Sequence, residues 1–544
     1  MADVSTVPVD QVQSNRLMGH CEVFARYQKL SGSAEELTSM RYVQAQMEEA
    51  GFRTELISHD AYISLPGAAS VMMDGTALQA ITHSFSRPST GLTAPVVYLG
   101  EGTEADFAKP DLAGAIVLVE GIASPAVAAR ALKAGAAGQL HISPHEHLHE
   151  MCISPVWGNP GSETLGLLPA TVACTISNAD GSALRDRLAR GEQPAVTLSA
   201  AVDTGWRKTP ILQADMDAPA GPDAPFILFS GHHDTWYYGV MDNGSANATM
   251  IETARVLAAG RADWKRGLRL CFWSGHSHGR YSGSAWYVDT HWDELERRCA
   301  VHVNVDSTGG IGASVLTENA TAAELAGVAA DAVLAEVNAQ HEGKRPSRNS
   351  DNSFWGVGIP TLFGSMSHQP PSTVKMRNPL GWWWHTPHDL LDKIDAANLL
   401  RDTRVFVRAI GRLLTAAVLP LDLGAQAAAL GRELDRLAPK LSGRLDLCAV
   451  REAIGALQAA AATPRGDTAL MAASRVLTPL DYTEGDRFRH DPALPQPPWP
   501  VLKPLRALAE AAAGDAALFA AVDARRALNR VHQALREATR ALLA

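Results

Sequence analysis

The chain has 544 residues, of which 46% are apolar and 19% charged, with a formal net charge of −10. That length exceeds what one hydrophobic core supports and calls for about three or four domains. The acidic balance excludes nucleic acid or an anionic membrane as expected partners, and no apolar run reaches membrane-spanning length.

Residues 1–63 predict a helix with Met40, Val43, Met47 and Ala50 on one face, stopped at Gly51, then an edge strand from Phe52. From about 64 to 205 the pattern changes to short strands and turns: Val96–Leu99, Ala115–Val119 and Thr171–Ile176. Between them Pro125–Leu140 predicts one Ala-rich helix. This stretch has the character of a separate β-rich domain inserted into another. Its loop carries His141, His145, His147 and His149, which is either a solvated loop or a lid whose imidazoles reach a neighbouring site.

From 206 to about 420, apolar strands (Phe226–Phe229, Leu268–Trp273, Val301–Val305, Pro360–Phe363) alternate with helical stretches. The expected fold class is α/β, a mixed sheet with helices on both faces. Residues 421–544 are rich in Ala, Leu and Arg at helical period and are interrupted by Pro492–Pro504. The last element, Ala516–Leu543, predicts an amphipathic helix whose apolar Phe519, Val522, Ala527, Val531 and Leu535 need a partner, in a second copy or within the chain. The cysteines (Cys21, Cys152, Cys174, Cys271, Cys299 and Cys448) show no paired spacing, and the N-terminus lacks a leader pattern. A cytoplasmic protein with reduced thiols is therefore expected.

Polar residues with coordinating chemistry recur just after the predicted strands, where open α/β sheets bind ligands. His232 and Asp234 follow the first, with Asp242 on the loop before a helix. His276 and His278 follow the second, Asp306 the third, and His385 comes after three tryptophans. Each alone also suits a turn or a cap; together they point to a metal centre.

Here the sequence resembles the co-catalytic zinc exopeptidases, in particular the branch of glutamate carboxypeptidase II and the transferrin receptor. The family pattern of His-x-Asp, an Asp eight residues on, Asn-x-Asp and a late Tyr-His-Thr falls on His232, Asp234, Asp242, Asp306 and His385, with Trp384 in the tyrosine's place. The resemblance implies a peptidase domain (1–63 and 206–420), an inserted protease-associated domain (64–205) and a helical domain (421–544) through which a homodimer forms. It implies His232 and Asp306 on one ion, His385 on the other, Asp242 bridging, and Asp234 orienting His232. Asp351 falls in a segment that lines the family's active site.

One position departs. The family's Glu-Glu, general base then ligand, is replaced by His276-Ser277-His278. Alignment from one side gives His276 and Ser277 those places, and from the other Ser277 and His278. Three outcomes stay open: a histidine replaces the ligand while the other works on the water, one metal position is empty or holds iron, nickel or manganese instead of zinc, or the chain is a non-catalytic binding protein. The leading expectation is a metal-dependent hydrolase of a short peptide or small amide, with one or two divalent ions, zinc first. A non-peptide (aryl, carbamate or ring) amide is the variant reading. Trp236, Tyr237, Trp384, Arg280 and Asp351 are expected to meet the substrate, the aromatics favouring an apolar ligand.

Overall fold

A computed structural model describes residues 7–108, 111–371, 379–463 and 465–544. Its strands are β1 (Arg53–Met73), β2 (Thr76–Leu78), β3 (Ala80–Thr82), β4 (Ser89–Ala94), β5 (Val96–Tyr98), β6 (Ile116–Glu120), β7 (Gly138–Ile142), β8 (Val172–Ile176), β9 (Val196–Met216), β10 (Phe226–His232), β11 (Gly267–Trp273), β12 (Cys299–Asn304) and β13 (Thr361–Leu362). One sheet runs β13-β12-β10-β11-β9-β1-β2, with β4 on β9, and a second runs β3-β8-β7-β6-β5. β10 lies parallel to both β11 and β12, whereas β9 joins β11 antiparallel, so the first sheet is mixed as expected. Every residue of β10, β11 and β12 is buried, which is what helices on both faces impose.

The parallel centre fixes the site. β10, β11 and β12 end side by side at His232, Trp273 and Asn304, so the loops that leave them converge on one edge. Gly231 is needed there: a Cβ would sit 2.6 Å from the Val305 carbonyl.

Two local expectations change. The helix placed at Pro125–Leu140 stops at Lys133, and Gly138–Ile142 is strand β7, buried between β6 and β8. A short apolar run of this kind suits a helix or a buried parallel strand equally well from sequence. Positions 64 and 205, taken as domain limits, also fall inside strands. β1 and β9 pair antiparallel from Arg53↔Asp215 through to Met73↔Val196, with one irregularity after Pro66, all within the first sheet, and their far ends (Val71, Val196, Leu198) join the apolar core of the second.

The tail from 421 is helical and docks on the sheet domain through buried charge. Arg266, just before β11, is fully buried; it pairs with Asp467 at 2.7 Å and donates to the Leu413 and Ala416 carbonyls. Removing one partner of such a pair strands the other, so Arg266→Ala should cost about 3 kcal/mol in chemical denaturation. The C-terminal helix Asp515–Leu543 buries Ala524, Leu528, Val531 and Leu535 within the chain but leaves Leu518, Phe519 and Val522 exposed. The chain itself therefore supplies the partner for the second half of the predicted apolar face.

At the same junction Glu324 is 1% exposed, and burial pushes its carboxyl up to about 8. The folded state holds this proton where the unfolded chain has lost it, so stability should fall as pH rises from about 4.5 to about 8. Glu324→Gln should flatten that slope in melting temperature against pH; an unchanged slope would mean other groups set it. No helix among the described residues is long and apolar enough to cross a membrane. Nor does any cysteine among them pair: all six are free, with Cys448 exposed.

Candidate metal centre

His232 is the last residue of β10, and its Nδ1 lies 2.8 Å from the Asp234 main-chain oxygen. A carbonyl only accepts, so the imidazole's single hydrogen sits on Nδ1 and the Nε2 lone pair points away. That Nε2 faces Asp242 Oδ1 at 3.0 Å and Asp306 Oδ1 at 3.6 Å. His385 repeats the arrangement from the other side: its Nδ1 donates to the Glu150 carbonyl at 2.7 Å, and Nε2 faces Asp242 Oδ2 at 3.0 Å. Lone pairs thus confront both oxygens of one buried carboxylate. Only a proton or a cation between them relieves that contact, and His232 Nε2 and Asp242 Oδ1 have no hydrogen-bond partner. Ring nitrogens of His232 and His276 and an oxygen of Asp306 also lie within 4.8 Å of one another. The donor set of imidazole and carboxylate suits a divalent transition metal.

The supports are built from main chain and distant residues. Asp242 is held through its backbone: Asp389 accepts from Met241 N at 2.9 Å and Asp242 N at 3.0 Å. Burial pushes the Asp389 carboxyl up to about 7 and the neighbouring Lys29 down to about 8. Lys29 donates to the Phe24, Tyr27 and Tyr238 carbonyls, and its own carbonyl accepts from Thr235 N. Ser31 donates to Asp234 at 2.5 Å.

The turn after β11 is where the sequence left alternatives. His276 stacks face to face on His232, centroids 3.7 Å apart, and its Nδ1 meets Asp351 Oδ2 at 2.8 Å. Burial works against the Asp351 charge, yet the His276 ring holds that carboxyl below its ordinary value. His276 Nε2 is consequently the free nitrogen. His278 turns away: its Nδ1 faces Ser31 Oγ at 3.0 Å, its ring lies against Trp236, and burial pushes it down to about 3. Ser277 donates its N–H to Asp234, and its hydroxyl is buried without a partner.

Four placements differ from expectation. The Asp234 carboxylate does not hold His232, whose Nδ1 is 3.9 Å away; it accepts instead from His276 N, Ser277 N and Ser31 Oγ, which saturate it. His278, expected as ligand or base, has its Nδ1 engaged with Ser31 and lies outside the converging set. Asp351 is buried behind His276 rather than on the substrate side. Tyr237 is partly buried against the apolar cluster of Phe85, Cys152 and Trp236, its hydroxyl meets the Glu150 carboxyl, and it does not line the cavity. Trp236, Arg280, Trp384 and His276 do line a common cavity of about 680 Å³ with Asp242 and Asp306.

The histidine loop reaches the rim and stops there. His145 Nδ1 accepts from His147 N, so its hydrogen is on Nε2 and is donated to His149 Nε2 at 3.0 Å; His149 Nδ1 donates to the Trp384 carbonyl at 2.5 Å. His147 stacks on Trp382. With Glu150 gripping His385 through two main-chain hydrogen bonds, this loop braces one arm of the centre and donates no ring nitrogen to it. Glu150 acts through main-chain atoms, which carry no sequence signal. Lys29 and Ser31 have none either, lying more than 200 residues from their partners.

A mixed sheet carrying two histidines that face one shared carboxylate at its parallel strand ends has the fold of solved zinc aminopeptidases. Residues 214–410, a little over a third of the chain, match the model of Peptidase family M28. The chain is 23% identical over 350 residues to the probable glutamate carboxypeptidase VP8 of Zea mays, covering 52% of this chain and 49% of that protein. It therefore spans about half of that relative's length. It is 25% identical over 412 residues to the aminopeptidase YwaD of Bacillus subtilis, covering 72% and 80%. Among solved structures, BSAP, a zinc aminopeptidase from Bacillus subtilis, superposes with a TM-score of 0.57 at 20% identity, covering 74% of this chain and 95% of that one.

Proposed function

We propose that the protein is a metal-dependent hydrolase of a short peptide or small amide, with one tightly held divalent ion, zinc first, on His232, Asp242 and Asp306. The observation that carries this reading is the pair of imidazole lone pairs aimed at the two oxygens of Asp242. His385 and Asp242 offer a second position, but the turn His276-Ser277-His278 brings no carboxylate to it, so binding there should be weaker.

A bound divalent cation supplies Lewis acidity, lowering the pKa of a water and polarising the amide carbonyl. The rest belongs to the chain. His276 Nε2 is free to take the water's proton and return it to the leaving nitrogen. Asp351 fixes the tautomer and stabilises the imidazolium that forms. The aromatic wall of Trp236 and Trp384 exposes an apolar surface to the substrate.

Metal analysis of chelator-free protein, followed by a panel of dipeptides and aryl amides, tests this reading. About one equivalent of metal and turnover that stops on chelation are expected. Less than roughly a tenth of an equivalent would remove it, since tight sites stay occupied; metal without turnover across the panel would favour the binding-protein alternative. The exposed Leu518, Phe519 and Val522 support a homodimer through the helical tail, and a monomer mass by light scattering would end that part.

A further inference from the structure

Outside the centre, four imidazoles stand in a file from the histidine loop to the segment after His385. In the order His149, His145, His147 and His388, neighbouring ring centres lie 4.9, 5.5 and 5.4 Å apart. Metal–nitrogen bonds of about 2 Å put the centres of two imidazoles on one tetrahedral ion about 5 Å apart, so this is the spacing of shared ligands. His149 already has the support that a metal-bound histidine needs. Its Nδ1 is spent on the Trp384 carbonyl, which leaves the Nε2 lone pair facing His145 Nε2 at 3.0 Å. His145 Nε2 carries the hydrogen between them. An ion entering that gap moves this proton to His145 Nδ1, which then ceases to accept from the His147 amide at 3.1 Å. His147 is thereby loosened, and it is the member that must turn. Its side chain is 26% exposed, stacked on Trp382 at 4.2 Å and 3.7 Å from the exposed Glu146 carboxylate.

We propose that His145, His149 and His147 form a second transition-metal site, separate from the centre, with the exposed His388 beside His147 on its solvent side. Donors that are all imidazole suit zinc, cobalt or nickel; magnesium and calcium take oxygen. Three neutral imidazoles, one of which has to move, give a dissociation constant on the order of micromolar. Such an ion leaves on desalting and adds nothing to the equivalent that the centre retains. The site shares no side chain with His232, Asp242, Asp306 or His385, so it does not rest on the hydrolase reading.

The test is calorimetric titration of the desalted full chain with Zn²⁺, and with Mg²⁺ as the control, each variant being checked by thermal melt. Asp242→Asn, which disables the centre, should keep a binding event for Zn²⁺ on the order of micromolar and show none for Mg²⁺. His145→Ala added to that chain should abolish the event, and His147→Ala should weaken it by roughly tenfold or more. Absence of the event from Asp242→Asn would overturn the proposal, because the weak ion would then belong to the centre. An event untouched by either histidine change, or one matched by Mg²⁺, would overturn it as well. Should the chain carrying His145→Ala not fold, the partly exposed His147→Ala decides alone.

Discussion

Asp242→Ala should empty the centre and take hydrolysis to background. Asp242 faces both His232 and His385, each at 3.0 Å, so its loss removes the shared carboxylate from both proposed cation positions at once. Changes merely next to a metal ligand cost 10–100-fold in affinity, so loss of this ligand should weaken binding by roughly 100-fold or more. Metal content by mass spectrometry and turnover should fall together. Because Asp242 is also buried, a thermal melt must accompany the measurement, and Asp242→Asn, which keeps the shape, serves as the second variant. Full metal occupancy in either variant would show that the ion is held elsewhere.

His276→Ala should separate chemistry from binding. A positioned base contributes about 10²–10⁴-fold, so kcat should fall by that factor while metal content stays near the wild-type value. Asp351→Asn should give a smaller loss, since the imidazole remains but its Nδ1 hydrogen no longer meets a charged acceptor. Metal lost together with activity in His276→Ala would instead make His276 a ligand, as its place among the converging atoms of His232 and Asp306 allows.

The parts of this site that sequence could reveal are those tied to strand ends. His232 and Asp306 carry distinctive side chains at or just beyond the ends of β10 and β12, Asp242 lies on the loop that follows β10, and His385 is marked by the tryptophans before it; a parallel sheet brings such strand ends together whatever the intervening length. The choice between His276 and His278 was not legible. It turns on which way a turn faces, and that is fixed by the Asp234 carboxylate capping the His276 and Ser277 amides, a contact across more than 40 residues. Asp234 itself was legible as a partner of His232, but which of its oxygens does the holding was not. Strand β7 escaped because a five-residue buried run has no period to distinguish it from helix. The braces at Lys29, Ser31 and Glu150 escaped because two act through carbonyls and all three join segments far apart in the chain.

The early segment around Lys29 and Ser31 gives the protein an unexpected weak point. It stitches together the backbone beneath His232 and Asp242 without contributing an atom to the centre. A nick or trim that freed the residues ahead of 34 would leave every coordinating group on the polymer and still let the cradle slacken, so activity would drain away while the rest of the sheet stayed folded. Shortened forms of this protein that begin later than that point should show weak turnover for a purely mechanical reason.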